Sequence, residues 1–402
     1  MAHFIVIGAG QAGAALVAKL RSAGFDGQIT LIGAEPVPPY QRPPLSKAYL
    51  LGEMEEERLY LRPRDWYAAN DIRLLTDARV EALDAQAKTV TLAGGEVLTY
   101  DKLALCTGAH PRTLPGAVGG MLENVFTVRD LQDADRMAPQ FSEGKRALVI
   151  GGGYIGLEAA AVAAKRGVTV TLVEMTERIL QRVAAPVTSA YFRDLHTLKG
   201  VDIREGVGLE RLTGTTSVEG AVLTDGTELE LDFAIVGVGI LPATALAEGA
   251  GLTVSNGIDT DEQCRTSDPD IFAAGDCANS LVRGHRMRIE SVGNAIDMGE
   301  NAALNMMGQG TPYVARPWFW SDQYDCKLQI AGLNLGYTEV ATRLDGDGVS
   351  HWYYDGGTLI AIDAMNDPRA YMVGKRLIEM GKSPAPEVVA DPATELKPLL
   401  KA

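Results

Sequence analysis

Two hydrophobic periods run along this chain, and the points where one replaces the other mark its elements. Phe4-Ile5-Val6-Ile7 is an unbroken apolar run of the kind a strand covered on both faces needs, and Gly8-Ala9-Gly10-Gln11-Ala12-Gly13 follows at once. The pattern then predicts a helix over about 12–23 and a strand Gln28-Ile29-Thr30-Leu31-Ile32-Gly33 that ends near Glu35. The same order returns later. Ala147-Leu148-Val149-Ile150 runs into Gly151-Gly152-Gly153-Tyr154-Ile155-Gly156, an alanine-rich helix follows, and Val168 to Val173 closes on Glu174. Further strands are predicted near 72–75, 79–83 and 88–92, at Tyr100 to Ala109, at Phe233 to Gly239, and in a run ending on Asp276. A helix is expected from about Gly293 to Met307. After Thr311-Pro312 the period becomes two, at 326–333, 338–342, 350–354 and 358–363, which predicts an antiparallel sheet crossed by a helix over about 369–381.

Each glycine run has the form G-x-G-x-x-G between a strand and a helix, with an acid at the end of the next strand. One glycine makes the turn, one lets backbone approach a pyrophosphate, and one lets helix and strand pack closely. Backbone N–H groups and the positive end of the helix dipole then converge where a phosphate sits. Two such turns imply two dinucleotides, and hence electron transfer between them. The composition shift at Pro111, Pro115, Gly116, Gly119 and Gly120 and the return after Pro242 suggest an interrupted first domain, 1–109 with 243–310. The second dinucleotide domain is then 110–242, and 311–402 is an interface domain holding three of the four tryptophans. The fold class expected is α/β, with two Rossmann-like domains and a C-terminal α+β domain.

Bulk properties narrow the functions. With 46% hydrophobic and 22% charged residues the chain is an ordinary globular protein, and no apolar run approaches the roughly eighteen residues of a membrane span. The opening lacks the basic region of a secretory signal, so a cytoplasmic location is expected. A net charge of -15 argues against nucleic-acid binding. Cys106, Cys264, Cys277 and Cys326 never form C-x-x-C, so no metal site or redox dithiol is expected, and buried packing is.

Taken together, the glycine turns, the Thr107-Gly108, Gly237-Val238-Gly239 and Ala274-Gly275-Asp276 strand ends, the loop Tyr40-Gln41-Arg42-Pro43-Pro44-Leu45-Ser46-Lys47, Glu290-Ser291-Val292 and Pro317-Trp318-Phe319-Trp320-Ser321-Asp322-Gln323 carry a resemblance. It covers the whole chain. The sequence resembles FAD-dependent NADH:ferredoxin reductases of oxygenase systems, which have the glutathione-reductase fold. That resemblance implies FAD pyrophosphate on Gly8, Gly10, Ala12 and Gly13, with Glu35 on the adenosine ribose. It implies further flavin-side contacts at Arg42, Lys47, Val80, Thr107, Gly108, Arg129, Asp276, Trp320 and Val292, the last at a helix start facing the flavin N1 and O2 edge. For the nicotinamide cofactor it implies Gly151, Gly153, Ile155, Gly156 and Gly237, with Glu174 favouring the free 2′-hydroxyl of NADH. Arg178 and Arg182 nearby are cations that would suit the 2′-phosphate of NADPH instead.

By the same resemblance Lys47 and Glu158 form an ion pair beside flavin N5, Glu158 reaches the NADH carboxamide, and Trp320 borders the flavin as an electron exit. The alternative on residues alone is Glu158 as a first-turn carboxylate, Val80 as strand core and Arg129 as a surface charge, and Trp318 reads as sheet or dimer packing. The implied partner is a [2Fe–2S] ferredoxin that feeds a haem-thiolate monooxygenase or a ring-hydroxylating dioxygenase. No membrane partner is expected, and the chain should be a monomer or weak homodimer. Arg283-Gly284-His285-Arg286-Met287-Arg288, or Arg62 with Arg64, would supply a local cationic docking patch or merely a solvated loop. An NADH oxidase or peroxide reductase and a redox-sensing flavoprotein of the apoptosis-inducing type are the rival readings. The single reactive cysteine of the former is missing after Pro44.

Overall fold

The computed structural model describes residues 1–401. They divide into two compact units. The first comprises Met1–Gln41, Glu55–His110 and Ile240–Pro317; the second comprises Arg42–Met54, Pro111–Gly239 and the chain from Trp318 on. The division into 1–109 with 243–310, 110–242 and 311–402 stays a proposal. What the contacts add is that the short segment Arg42–Met54 is held by the second unit.

In the first unit a five-stranded parallel sheet runs in the order Ile271–Ala273, Lys102–Leu105, His3–Ile7, Gln28–Ile32, Ile72–Leu75. His3–Ile7 is central, which is why its residues are apolar without alternation: both faces are covered. The helices Gln11–Ser22 and Val292–Met306 pack on it and on each other, so closely that a Cβ on Gly299 would lie 2.5 Å from the Ala12 carbonyl oxygen. A small antiparallel sheet, Val80–Asp84, Thr89–Leu92 and Val97–Thr99, completes the unit's main sheets. The charged stretch 55–71 is broken by Pro63 into a 3-10 turn, Glu56–Arg58, and a short helix, Arg64–Ala69. The run toward Asp276 is strand only over Ile271–Ala273, because Asp268 turns the chain back on itself by accepting from the Asp270 N–H at 2.8 Å.

The second unit repeats the plan. Its parallel sheet runs Asp202–Glu205, Thr169–Glu174, Arg146–Ile150, Phe233–Val236, Val125–Phe126. The helix Tyr154–Lys165 leaves the central strand through the second glycine run. The C-terminal part is a five-stranded antiparallel sheet, in the order Trp318–Gln323, Cys326–Gly332, Thr358–Met365, Gly348–Asp355, Glu339–Asp345. Pro368–Met380 packs across it, capped by Asp367 accepting from the Ala370 N–H at 2.9 Å and ended by Gly381 in the left-handed region. At the sheet-facing position Gly374 a Cβ would lie 2.8 Å from the end of the Ile362 side chain, which glycine leaves undisturbed. Among the described residues no helix is long and apolar enough to cross a membrane.

One buried polar cluster stands out in this unit. Thr188 donates to Asp363 at 2.9 Å and contacts His351 Nδ1 at 2.7 Å, while Tyr353 also donates to Asp363. Burial pushes the Asp363 carboxyl up to about 6 and the His351 imidazole down to about 4. A carboxyl whose folded pKa is raised contributes stability that is fully present below its unfolded value, near 3.8, and lost as pH rises through about 6. Asp363→Asn keeps an acceptor for Tyr353 and Thr188 and removes that loss. Between pH 4 and 7 the variant should therefore gain on the parent by up to about 3 kcal/mol, read from urea midpoints at each pH. Parallel stability curves for the two proteins would contradict it.

Candidate functional site

In the first unit the glycine turn is built by steric necessity at two positions and by vacancy at a third. Gly8 has φ +110°, and a Cβ there would lie 2.1 Å from the Cys106 carbonyl oxygen; on Gly13 it would lie 2.1 Å from the Gly8 carbonyl oxygen. Gly10 differs. Its φ of -102° and ψ of -159° suit any residue, and a Cβ there would meet nothing within 4 Å. Room is kept above Gly10 that the protein itself does not use, at the start of a helix whose first N–H groups are unpaired, as a pyrophosphate requires.

Around this turn, Ala12 is buried and Glu35 accepts from the Tyr40 hydroxyl at 2.5 Å. Val80 begins its strand and packs on the core. Thr107 donates to the Ala243 carbonyl at 2.7 Å, and Gly108 takes φ +69°. Asp276 follows Gly275, whose φ is +80°. Val292 opens its helix behind the cap Ser291, which accepts from the Asn294 N–H at 3.2 Å.

The second unit has the same construction. A Cβ on Gly151 would lie 2.4 Å from the Gly237 carbonyl oxygen, and one on Gly156 would lie 2.2 Å from that of Gly151. Gly153, with φ -79° and ψ 175°, again has nothing within 4 Å. Ile155 points outward and is exposed. Glu174 ends its strand and accepts from the Gly152 N–H at 2.8 Å and from Thr176 N–H and Oγ1 at 2.8 and 2.7 Å. The carboxylate is thus pinned beside the glycine turn. Arg178 bonds Ser189 and the Gln181 carbonyl, whereas Arg182 is exposed, with its guanidinium about 4 Å from where a Gly239 Cβ would be.

The expected ion pair is present. Lys47 Nζ donates to Glu158 Oε2 at 2.6 Å. Sequence reasoning missed the two hydroxyls that complete it. Ser46 Oγ donates to the same oxygen at 2.7 Å, and Ser321 Oγ to Oε1 at 2.7 Å. Both serines stand inside the quoted motifs, but their partner lies 112 and 163 residues away, and no local pattern signals it. Glu158 is only 4% exposed, so a solvated first-turn carboxylate is not what it is. Arg42 Nη1 donates to the Arg129 carbonyl at 2.8 Å, and the Arg129 N–H to Asp133, whose carboxyl is held above its ordinary value by burial. Trp320 stacks on Trp318, ring centres 5.5 Å apart, and Lys375 lies 5.4 Å from the Trp318 ring centre.

One member of the basic cluster does not face solvent. Arg288 is turned inward at 8% exposure, pairs with Glu290 at 2.8 Å and donates to the Asp276 carbonyl at 3.0 Å. Arg286, on the hairpin Ala278–Val282 and His285–Met287, donates to the Asn279 and Thr260 carbonyls at 2.9 and 3.3 Å but keeps its side chain 46% exposed, and Arg62 and Arg64 are exposed as well. All four cysteines are buried and free, and burial raises each thiol pKa.

Comparison with known proteins matches residues 2–299 to the pyridine nucleotide-disulphide oxidoreductase family and residues 318–400 to the reductase C-terminal family. The chain is 41% identical to the 5,5'-dehydrodivanillate O-demethylase ferredoxin reductase subunit of Sphingobium sp., covering 100% of both chains. It is 41% identical to putidaredoxin reductase of Pseudomonas putida, over 100% of this chain and 97% of that one. The reductase in the crystal structure of the covalent putidaredoxin reductase-putidaredoxin complex superposes with a TM-score of 0.96 at 39% identity, covering 100% of this chain and 98% of that one.

Vacancy over Gly10 and Gly153 separates ligand loss from misfolding. Gly10→Val should fold and bind no flavin, and Gly153→Val should fold yellow but bind nicotinamide nucleotide about tenfold more weakly or worse. Circular dichroism, flavin absorbance per chain and nucleotide titration read the three quantities; full flavin occupancy in Gly10→Val would refute the cradle.

Proposed function

The chain belongs to the pyridine nucleotide-disulphide oxidoreductase family, and from that premise we propose that it is the ferredoxin reductase of an oxygenase system, with NADH as donor and a [2Fe–2S] ferredoxin as acceptor. It uses FAD and NAD(P)H, as its family does. Bound FAD supplies the conversion between a two-electron hydride donor and one-electron acceptors. The balanced reaction is NADH plus two oxidised ferredoxins giving NAD+, a proton and two reduced ferredoxins. A haem-thiolate monooxygenase or ring-hydroxylating dioxygenase is the proposed consumer of those electrons, and the cytoplasm the proposed site of action.

The observation that carries this reading is the pair of cradles, each with its central glycine kept open, in a chain whose thiols are all out of reach. With no accessible dithiol, electrons leave for an external carrier rather than a disulphide. Gly8, Gly10, Ala12 and Gly13 are assigned to the FAD pyrophosphate, Glu35 to the adenosine ribose, and Asp276 to the ribityl chain. Val80, Thr107, Gly108, Arg42 and Arg129 are assigned to the walls of the flavin site. The helix starting at Val292 would offer the positive end of its dipole to the flavin N1 and O2 edge. Gly151, Gly153, Ile155, Gly156 and Gly237 are assigned to NADH.

Lys47 and Glu158 hold their charges at a fixed spacing, from which Glu158 would orient the NADH carboxamide and Lys47 would serve the flavin N5 side. Positioning is most of what hydride transfer asks of a protein, since reacting atoms must meet at near contact. Trp320 is assigned to the flavin border as the electron exit. Either a monomer or a weak homodimer suits this chemistry.

Anaerobic NADH should bleach the purified flavoprotein, and the reduced protein should rapidly reduce a [2Fe–2S] ferredoxin while consuming oxygen slowly; a fast oxidase with no ferredoxin activity would overturn the assignment. Lys47→Ala and Glu158→Ala should each slow flavin reduction by about ten- to a hundredfold, since each removes a hydrogen bond between charged groups worth about 1.5–3 kcal/mol. Unchanged stopped-flow rates would remove both residues from the mechanism. The pinned Glu174 carboxylate should make kcat/KM higher for NADH than for NADPH, and Glu174→Ala, which removes the charge that would repel a 2′-phosphate, should narrow the ratio by about tenfold or more. A parent preference for NADPH would defeat the nucleotide assignment.

A further inference from the structure

A chain of hydrogen bonds runs inward from Tyr324 to Glu158 through groups that the assigned mechanism does not use. Tyr324 Oη lies 3.2 Å from His196 Nδ1, His196 Nε2 lies 2.7 Å from Gln323 Oε1, and Gln323 Nε2 donates to Ser321 Oγ at 3.0 Å. Ser321 Oγ then donates to Glu158 Oε1 at 2.7 Å. His196, Gln323 and Ser321 are completely buried, so none of them can exchange its partner for water.

The direction of every bond follows from the carboxylate end. Paired with Lys47, Glu158 can only accept, so the one hydroxyl proton of Ser321 points at it. Ser321 must therefore accept from its other neighbour, which turns the Gln323 NH2 group toward it and the Gln323 carbonyl oxygen toward His196. That oxygen needs a donor, so His196 carries a proton on Nε2. Its Nδ1 is then a bare acceptor to which the Tyr324 hydroxyl can donate, and burial lowers the imidazole pKa in agreement with a neutral ring. All arrows point inward.

The amide is the element with two settings. Rotated by half a turn, Gln323 would present its oxygen to Ser321, the serine proton would follow it, and Glu158 Oε1 would lose its donor. Only the His196 N–H distinguishes the two settings from the outer side. We propose that His196 and Gln323 are positioning residues of the reductase: the imidazole, fixed as its Nε2–H tautomer, locks the Gln323 amide, and the amide directs the Ser321 proton onto Glu158, holding the carboxylate in the rotamer that meets Lys47. The amide also blocks proton conduction along the chain, since it would have to pass through an imidic acid. The chain sets geometry and does not carry the proton released in turnover.

This inference rests on the assignment of Glu158 to NADH orientation, and the experiment separates the two. In the holoenzyme, nitrogen NMR of the imidazoles, with His196→Gln to identify the resonances, should show His196 neutral and protonated on Nε2; an Nδ1–H tautomer would overturn the lock. In stopped flow, Gln323→Leu and His196→Phe should slow flavin reduction at saturating NADH by about tenfold while leaving the NADH dissociation constant unchanged. His196→Gln, which returns an N–H at the same reach, should recover the rate to within about threefold. Placed in a Glu158→Gln background, Gln323→Leu should slow the reaction no further, because its effect acts through the carboxylate. A full additional loss there would mark a merely structural role and refute the proposal. A slow Glu158→Gln beside fast Gln323→Leu and His196→Phe refutes this inference alone. A wild-type rate in Glu158→Gln refutes the Glu158 assignment and this inference with it.

Discussion

Burying a carboxylate is costly unless its charge is paired and its lone pairs are filled, and Glu158 meets that demand with donors from two separate stretches of chain. Lys47 and Ser46 come from the proline-stiffened loop, Ser321 from the first strand of the C-terminal sheet, and Glu158 itself from the helix after the second glycine turn. Removing any one donor leaves the others closing on a charge that water cannot reach. The loop, the helix and the sheet are thereby held in one register, and for this reason Arg42–Met54 belongs with the second unit despite its place early in the chain. Apolar packing supports the same attachment, with Leu50 buried in the cluster that contains Leu157 and Ala160.

The two glycine turns solve a different problem with one device used twice. Gly8 and Gly13, like Gly151 and Gly156, are excluded from any other identity by backbone atoms little more than 2 Å from where a Cβ would stand. Gly10 and Gly153 are not constrained by the protein at all. The first class of glycine sets the shape of the strand-to-helix turn, and the second leaves that shape open toward a ligand. Both are needed before helix N–H groups can reach a phosphate.

This distinction explains what was legible in the sequence. Buried parallel strands such as His3–Ile7 and Arg146–Ile150 read directly as apolar runs, and the glycines that follow them read as turns, because both signals are local. The C-terminal sheet was legible through its alternation. The helix starts at Gln11, Val292 and Pro368 each fell one residue before the expected position, as helix ends read from pattern commonly do. Ser46, Ser321 and His196 were not legible, since a hydroxyl or an imidazole acquires its role from a partner more than a hundred residues away. Arg288 failed for the opposite reason. Its neighbours Arg283 and Arg286 stay exposed, whereas Arg288, just past the end of the strand His285–Met287, turns its guanidinium onto Glu290 and the Asp276 carbonyl. Charge counted along a sequence says nothing about the direction in which each side chain leaves the backbone.

The burial of all four cysteines bears on how such a protein ages. Oxidants attack the thiolate, and burial disfavours that form at Cys106, Cys264, Cys277 and Cys326 alike. A flavoprotein that leaks some electrons to oxygen makes peroxide at its own surface, and here the peroxide finds no accessible thiol. The exposed thioethers are left as the soft targets, Met1, Met121, Met175, Met372 and Met380. Met175 follows Glu174 directly in the chain. Wear from the protein's own by-product would then register as sulphoxides on these surface thioethers, one of them next to Glu174, lesions that methionine sulphoxide reductases repair.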